Sequence, residues 1–84
     1  MAKVQVEIKD KKLLTVAEVS ALLNISDPTI RKIIKAGDLP ILRIGKNILI
    51  YAYEVDEFCK RMTHKQLDFE TATWSDIDYS QIGA

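Results

Sequence analysis

The sequence predicts a small α+β domain, mainly α, with three short helices and one β-hairpin; a short N-terminal strand is one of two readings of its opening residues. Three observations carry this expectation. Two apolar stripes at helical spacing, around Val16–Leu23 and Ile30–Ile34, are parted by only a few residues. Two β-favouring runs then flank Gly45-Lys46-Asn47, and a third helical stripe follows at Val55, Phe58, Cys59 and Met62.

The elements follow in order. Val4, Val6 and Ile8 alternate with Gln5, Glu7 and Lys9, the period of a half-buried strand, although a frayed arm reads nearly as well from such an opening. Thr15-Val16-Ala17-Glu18 has the spacing of a capping box: the Thr hydroxyl can accept from the Glu18 amide while the Glu carboxylate reaches back to Thr15. Val16, Val19, Leu22 and Leu23 continue it as a helix from about Val16 to Leu23. Asn24-Ile25-Ser26 interrupts this helix, Ser26 or Asp27 can cap a second, and Pro28 is tolerated in its first turn, where amides lack intrahelical partners. Gly37 supplies a left-handed stop. Two short helices joined by about three residues have the arrangement of a helix-turn-helix.

Leu39–Ile44 and Ile48–Tyr51 form the hairpin, or wing, with Gly45 and Asn47 both able to accept positive φ at its tip. Pro40 stands at the strand start, where a missing donor does least harm. A third helix runs from about Tyr53 to Met62 and is poorly capped, because Tyr51 and Ala52 offer no short acceptor. On this reading the chain divides into an arm or short strand (1–12), a winged helix-turn-helix (13–62) and an acidic, aromatic tail (63–84).

Composition narrows the function classes. At 84 residues the chain makes one small domain. No stretch approaches the roughly 20 apolar residues of a membrane span, and the opening residues lack a signal peptide's apolar run, so a cytoplasmic location is expected. One cysteine and one histidine exclude a disulfide within the chain and a Cys-rich zinc site. Cys59 is expected on the buried stripe of the third helix, and His64 nearby does not complete a metal or nucleophile set. With no phosphate loop or catalytic motif, no enzyme activity, catalytic residue, metal or cofactor is expected. The net charge of zero hides a division. Eleven Lys and Arg face eight acids up to Met62, giving +3, whereas one Lys faces four acids beyond it, giving −3.

On a helical wheel of about 100° per residue, Ile30, Ile33 and Ile34 fall in one arc, and Pro28, Arg31, Lys32 and Lys35 in an arc nearly opposite. A narrow basic face suits the major groove: Arg forks to guanine, Lys meets guanine or phosphate, and Ser26 and Thr29 lie at the end that approaches base edges. Arg43 and Lys46 flank the hairpin tip with Asn47 beside them, so a second basic element protrudes. Charged outer faces are ordinary on helices; two such elements together favour duplex DNA as the partner.

The stretch from Leu13 to about Arg61 resembles the excisionase family, small winged-helix proteins related to MerR-type regulators. The resemblance rests on Leu14-Thr15-Val16-Ala17-Glu18-Val19, Leu22-Leu23-Asn24-Ile25-Ser26, the run Pro28 to Pro40, Arg43 to Ile50, and Glu54 to Phe58. It implies a recombination directionality factor or a similar transcriptional regulator of a phage or mobile element, which binds adjacent DNA sites, bends them and positions an integrase. It also implies that Ser26, Pro28, Thr29, Arg31, Lys32 and Lys35 belong to the recognition helix and Arg43, Lys46 and Asn47 to the wing. Two departures stand out. Asp27 lies where relatives are often basic or neutral, and Asn47 and Ile48 stand where they often carry Arg or Lys.

If each protomer neutralises about three or four phosphates, its log-log salt slope is about −3 to −4, which costs roughly two orders of magnitude in affinity between 50 and 200 mM salt. Cooperation between neighbouring protomers, or help from an integrase, recombinase or polymerase, is therefore expected. The tail offers a surface for such a partner, with Phe69, Trp74 and Tyr79 set among Asp68, Glu70, Asp76 and Asp78. Trp74 and Tyr79 could instead fold back to extend the core, or the acidic tail could cover Arg31 and Lys35. A protein-interaction module acting through this tail is the competing class.

Overall fold

In the computed structural model, which describes residues 4–83, three helices and five short strands gather around one apolar core. Strand β1 (Leu13–Leu14) leads into α1 (Val16–Leu23), α2 (Asp27–Lys35), the hairpin β2 (Leu42–Ile44) and β3 (Asn47–Tyr51), α3 (Ala52–Met62), and a second hairpin of β4 (Lys65–Asp68) and β5 (Thr73–Asp76). The three-stranded sheet runs β1-β3-β2, antiparallel throughout, with Leu14 opposite Ile50 and Arg43 opposite Ile48.

Local chemistry sets the helix ends. The Thr15 hydroxyl accepts from the Glu18 amide at 3.1 Å and the Glu18 carboxylate accepts from the Thr15 amide at 3.0 Å, a complete capping box. Asn24, at φ +56°, turns the chain out of α1, and the Ile25 amide reaches back to the Ser20 carbonyl at 3.1 Å. Ser26 takes the extended N-cap conformation of α2, leaving Asp27 as its first helical residue and Pro28 in the first turn. At the far end Gly37, at φ +86°, donates to Ile34 (2.9 Å) and Asp38 donates to Ile33 (3.1 Å), the paired bonds of a Schellman motif. The three-residue turn between α1 and α2 follows from these two caps.

The core comprises Leu14, Val16, Val19, Ile30, Ile33, Leu39, Ile50, Val55 and Phe58. Each helix buries a stripe narrower than its apolar periodicity suggests. Leu22 is half exposed, and Cys59, expected inside, lies exposed on α3. Phe58, Met62 and Val55 fill an arc of about 60° on that helix, and Cys59 lies about 40° beyond its edge. Another difference concerns the N-terminus. A short strand does precede α1, but at Leu13–Leu14, where β3 supplies a partner. Residues 4–7, the expected strand, are exposed and irregular, and Ile8–Asp10 forms a single 3-10 turn. Residues 1–3 of the expected arm lie outside the described residues.

The segment after α3, without periodicity in the sequence, forms a hairpin docked on the core. Leu67 pairs with Trp74 across it, and both side chains pack against the buried cluster. Asp68 stabilises the four-residue loop by accepting from the Glu70 amide at 2.9 Å, and Ala72 takes positive φ to close it.

Candidate nucleic-acid interface

Helix α2 turns Ile30 and Ile33 inward and leaves Pro28, Arg31, Lys32 and Lys35 exposed. The cations stand on the solvent side because the isoleucines hold the opposite side in the core, and the Gly37 stop fixes where that side ends. Ser26 is exposed at the N-terminal end, its hydroxyl 2.9 Å from that of the half-buried Thr29. The Ser26 side chain makes no capping bond to the backbone.

The wing lies along one flank of this face. Its turn is tighter than expected: Ile44 pairs with Asn47, so the loop is Gly45-Lys46 alone. Gly45 takes φ +63° while Asn47 opens β3, as suits a two-residue hairpin with glycine at its first central position. Two adjoining hollows separate wing from helix. One lies between the start of α1 (Thr15, Ala17), Asp27 and Arg31 of α2, and Lys46 and Asn47 of the wing. The other is lined by Arg31, Ile34 and Lys35 of α2 with Ile41, Arg43 and Ile48. Arg31 and Ile48 border both, so Arg31, Lys35, Arg43, Lys46 and Asn47 line two neighbouring hollows that together make a trough between wing and helix. Among the described residues, none of these four cations makes an ion pair within 4 Å or a side-chain hydrogen bond.

Lys32 is different. It lies about 60° further round the wheel than Lys35, towards the second hairpin. Its ammonium donates to the Phe69 carbonyl at 3.1 Å and stands 5.7 Å from the centre of the Phe69 ring. The tail thus occupies one member of the basic arc while leaving the trough beside the wing uncovered. Trp74 is half-buried: it meets Phe58 edge-on with centroids 5.9 Å apart, and its indole N–H donates to Asp38 Oδ2 at 2.8 Å. The Asp38 carbonyl also accepts from Arg61 at 2.7 Å. Asp38, which follows the Gly37 stop of α2, is therefore held by both α3 and the second hairpin. Phe69 and Tyr79 remain more than half exposed. The Tyr79 hydroxyl lies 2.6 Å from His64 Nδ1, so the histidine faces an aromatic neighbour.

The expectations from sequence omitted the wall formed by Thr15 and Ala17 and the Trp74–Asp38–Arg61 contact. A capping box opening the helix before the turn gave a hint of the first, since it fixes where that helix begins. The second joins positions 36 residues apart and left no periodic signal. Glu18 of that capping box also bonds Lys11. A hydrogen bond from Lys11, aided by the Thr15 amide, holds its carboxyl below the usual range.

Two helices at a three-residue turn, followed by a basic hairpin beside the second, define a helix-turn-helix protein with a wing. The chain belongs to the helix-turn-helix domain family, whose model matches residues 13–63. Two proteins of Mycobacterium tuberculosis, from strains CDC 1551 / Oshkosh and ATCC 25618 / H37Rv, are each 40% identical to it over 45 residues and each bear the name "Putative DNA-binding protein". The match covers 54% of this chain and 58% of each relative, so the chain spans rather more than half of their length. No solved structure matches. No helix among the described residues is long and apolar enough to cross a membrane.

Proposed function

We propose that the protein binds duplex DNA sequence-specifically, with α2 in the major groove and the wing against the adjacent backbone, as an excisionase-like accessory factor for integrase-mediated recombination in the cytoplasm. The convergence of Arg31 and Lys35 with Arg43 and Lys46 around one trough, all exposed, carries the reading. Arg31 and Lys35 address base edges or phosphates, Arg43 and Lys46 grip phosphates, and Ser26, Pro28, Thr29 and Asn47 shape the approach to the groove. Lys32 contributes where DNA draws it from Phe69. The excisionase role rests on the family resemblance, and the names of the mycobacterial relatives agree with DNA as ligand.

A transcriptional regulator of a mobile element would hold DNA through the same residues, so an excision assay with the element's integrase separates the two roles. The exposed apolar edge of the wing, Ile41, Leu42 and Ile44, favours a second reading, a module that binds protein. One experiment tests α2 as the DNA-contacting element. In a gel shift, Arg31→Ala with Lys35→Ala abolishes retention of duplex at moderate salt, the Arg31 contact alone being worth about 1–3 kcal/mol. Retention unchanged by the double substitution would rule out α2 as the DNA-contacting element.

A further inference from the structure

Asp27 is the one acid in the first hollow of the trough, where Arg31, Lys46 and Asn47 also converge. Its first-turn position suits the helix dipole, but that role asks only for a charge and does not account for an acid inside a basic hollow. Ser26 is the N-cap, so Asp27 is not needed to cap α2. Among the described residues its carboxylate makes no side-chain hydrogen bond and no ion pair within 4 Å, even though Arg31 follows one turn later. It is half-buried, so its hydration is already reduced before any ligand arrives. An ionised carboxylate only accepts hydrogen bonds, and it repels the phosphates that the surrounding cations attract.

We infer that Asp27 is a specificity-determining residue that accepts a hydrogen bond from the exocyclic amine of a cytosine in the major groove. This inference rests on the DNA-binding reading. The first turn of a recognition helix is the part that approaches base edges, and in that groove cytosine N4 is the donor that suits Asp or Glu. Guanine and thymine offer only acceptors at the corresponding edge, so either leaves the carboxylate desolvated and unpaired. Arg31 lies about 6 Å further along the helix, roughly two base-pair steps, on the same side. It can therefore fork to a guanine close to the cytosine that Asp27 reads. Asp27 acts oppositely to the cations around it. They raise affinity for every sequence, whereas the carboxylate weakens binding wherever its donor is missing.

The test is a selection from a randomised duplex library with the full chain and with Asp27→Asn, followed by titration of the enriched site and a scrambled duplex. Asn is nearly isosteric but neutral, and it pairs best with adenine. The wild type is expected to enrich cytosine at one position. Asp27→Asn is expected to lose that preference or shift it to adenine, to bind scrambled DNA more tightly, and to lose about five- to tenfold in discrimination between the two duplexes. Arg43→Ala is the contrast, lowering affinity for both duplexes alike. If the wild type enriches a site and the variant, folded by circular dichroism, enriches the same base at every position with unchanged discrimination, the inference is overturned alone. If the wild type retains no duplex, the DNA-binding reading falls and the inference with it.

Discussion

Trp74→Ala tests whether the tail hairpin is part of the folded domain. Removing a fully buried tryptophan costs about 3–5 kcal/mol, and for a half-buried one about half of that is expected. The edge-on contact with Phe58 lies within that sum, whereas the 2.8 Å bond to Asp38 adds about 1 kcal/mol once its partial exposure is allowed for. The expected loss is about 2.5–3.5 kcal/mol from a domain whose whole stability is about 4–13 kcal/mol at this length. The melting temperature followed by circular dichroism should then fall by about 10–28 °C. A double-mutant cycle isolates the hydrogen bond. Trp74→Phe keeps a ring against Phe58, and Asp38→Ala leaves the backbone carbonyl that Arg61 holds, so a coupling of about 1 kcal/mol belongs to the indole–carboxylate pair. A melting temperature within about 3 °C of wild type for Trp74→Ala, together with zero coupling, would refute the claim that this hairpin completes the core.

Three further outcomes follow from the same geometry. Lys35→Ala should make the log-log salt slope of DNA binding shallower by about 1, and Lys32→Ala by less, because the Phe69 carbonyl already holds that ammonium; equal slopes for the two variants would contradict this. Glu18→Gln removes a carboxylate whose folded pKa is lowered by Lys11 and the Thr15 amide. Its contribution is present above the ordinary value of 4.5 and is lost as pH falls through the lower folded value, so the variant should melt below wild type at neutral pH and converge with it in acid. Gly37→Ala places a Cβ at φ +86° with no atom to clash against, so the cost is conformational, about 1 kcal/mol, and appears as a fall of roughly 4–8 °C in melting temperature.

Helix limits were legible in the residues because the forces that set them act within about five positions. Thr15 and Glu18 bond each other, Asn24 and Gly37 adopt the left-handed region that ends a helix, and the isoleucines of α2 decide which side its cations occupy. The basic arc, and the hairpin beside it, followed from the same short-range chemistry. Tertiary contact decided the rest. Cys59 and Leu22 satisfy the apolar period yet face solvent, because neighbouring elements cover only a narrow stripe of each helix. Val4, Val6 and Ile8 alternate as a strand should, but pairing fell to Leu13–Leu14, which β3 can reach. Lys32 separates from Arg31 and Lys35 only because Phe69, 37 residues later, comes to lie beside it. Sequence spacing states which side chains share a face of one element; which faces are covered depends on partners brought together by long-range folding, and no local period records them.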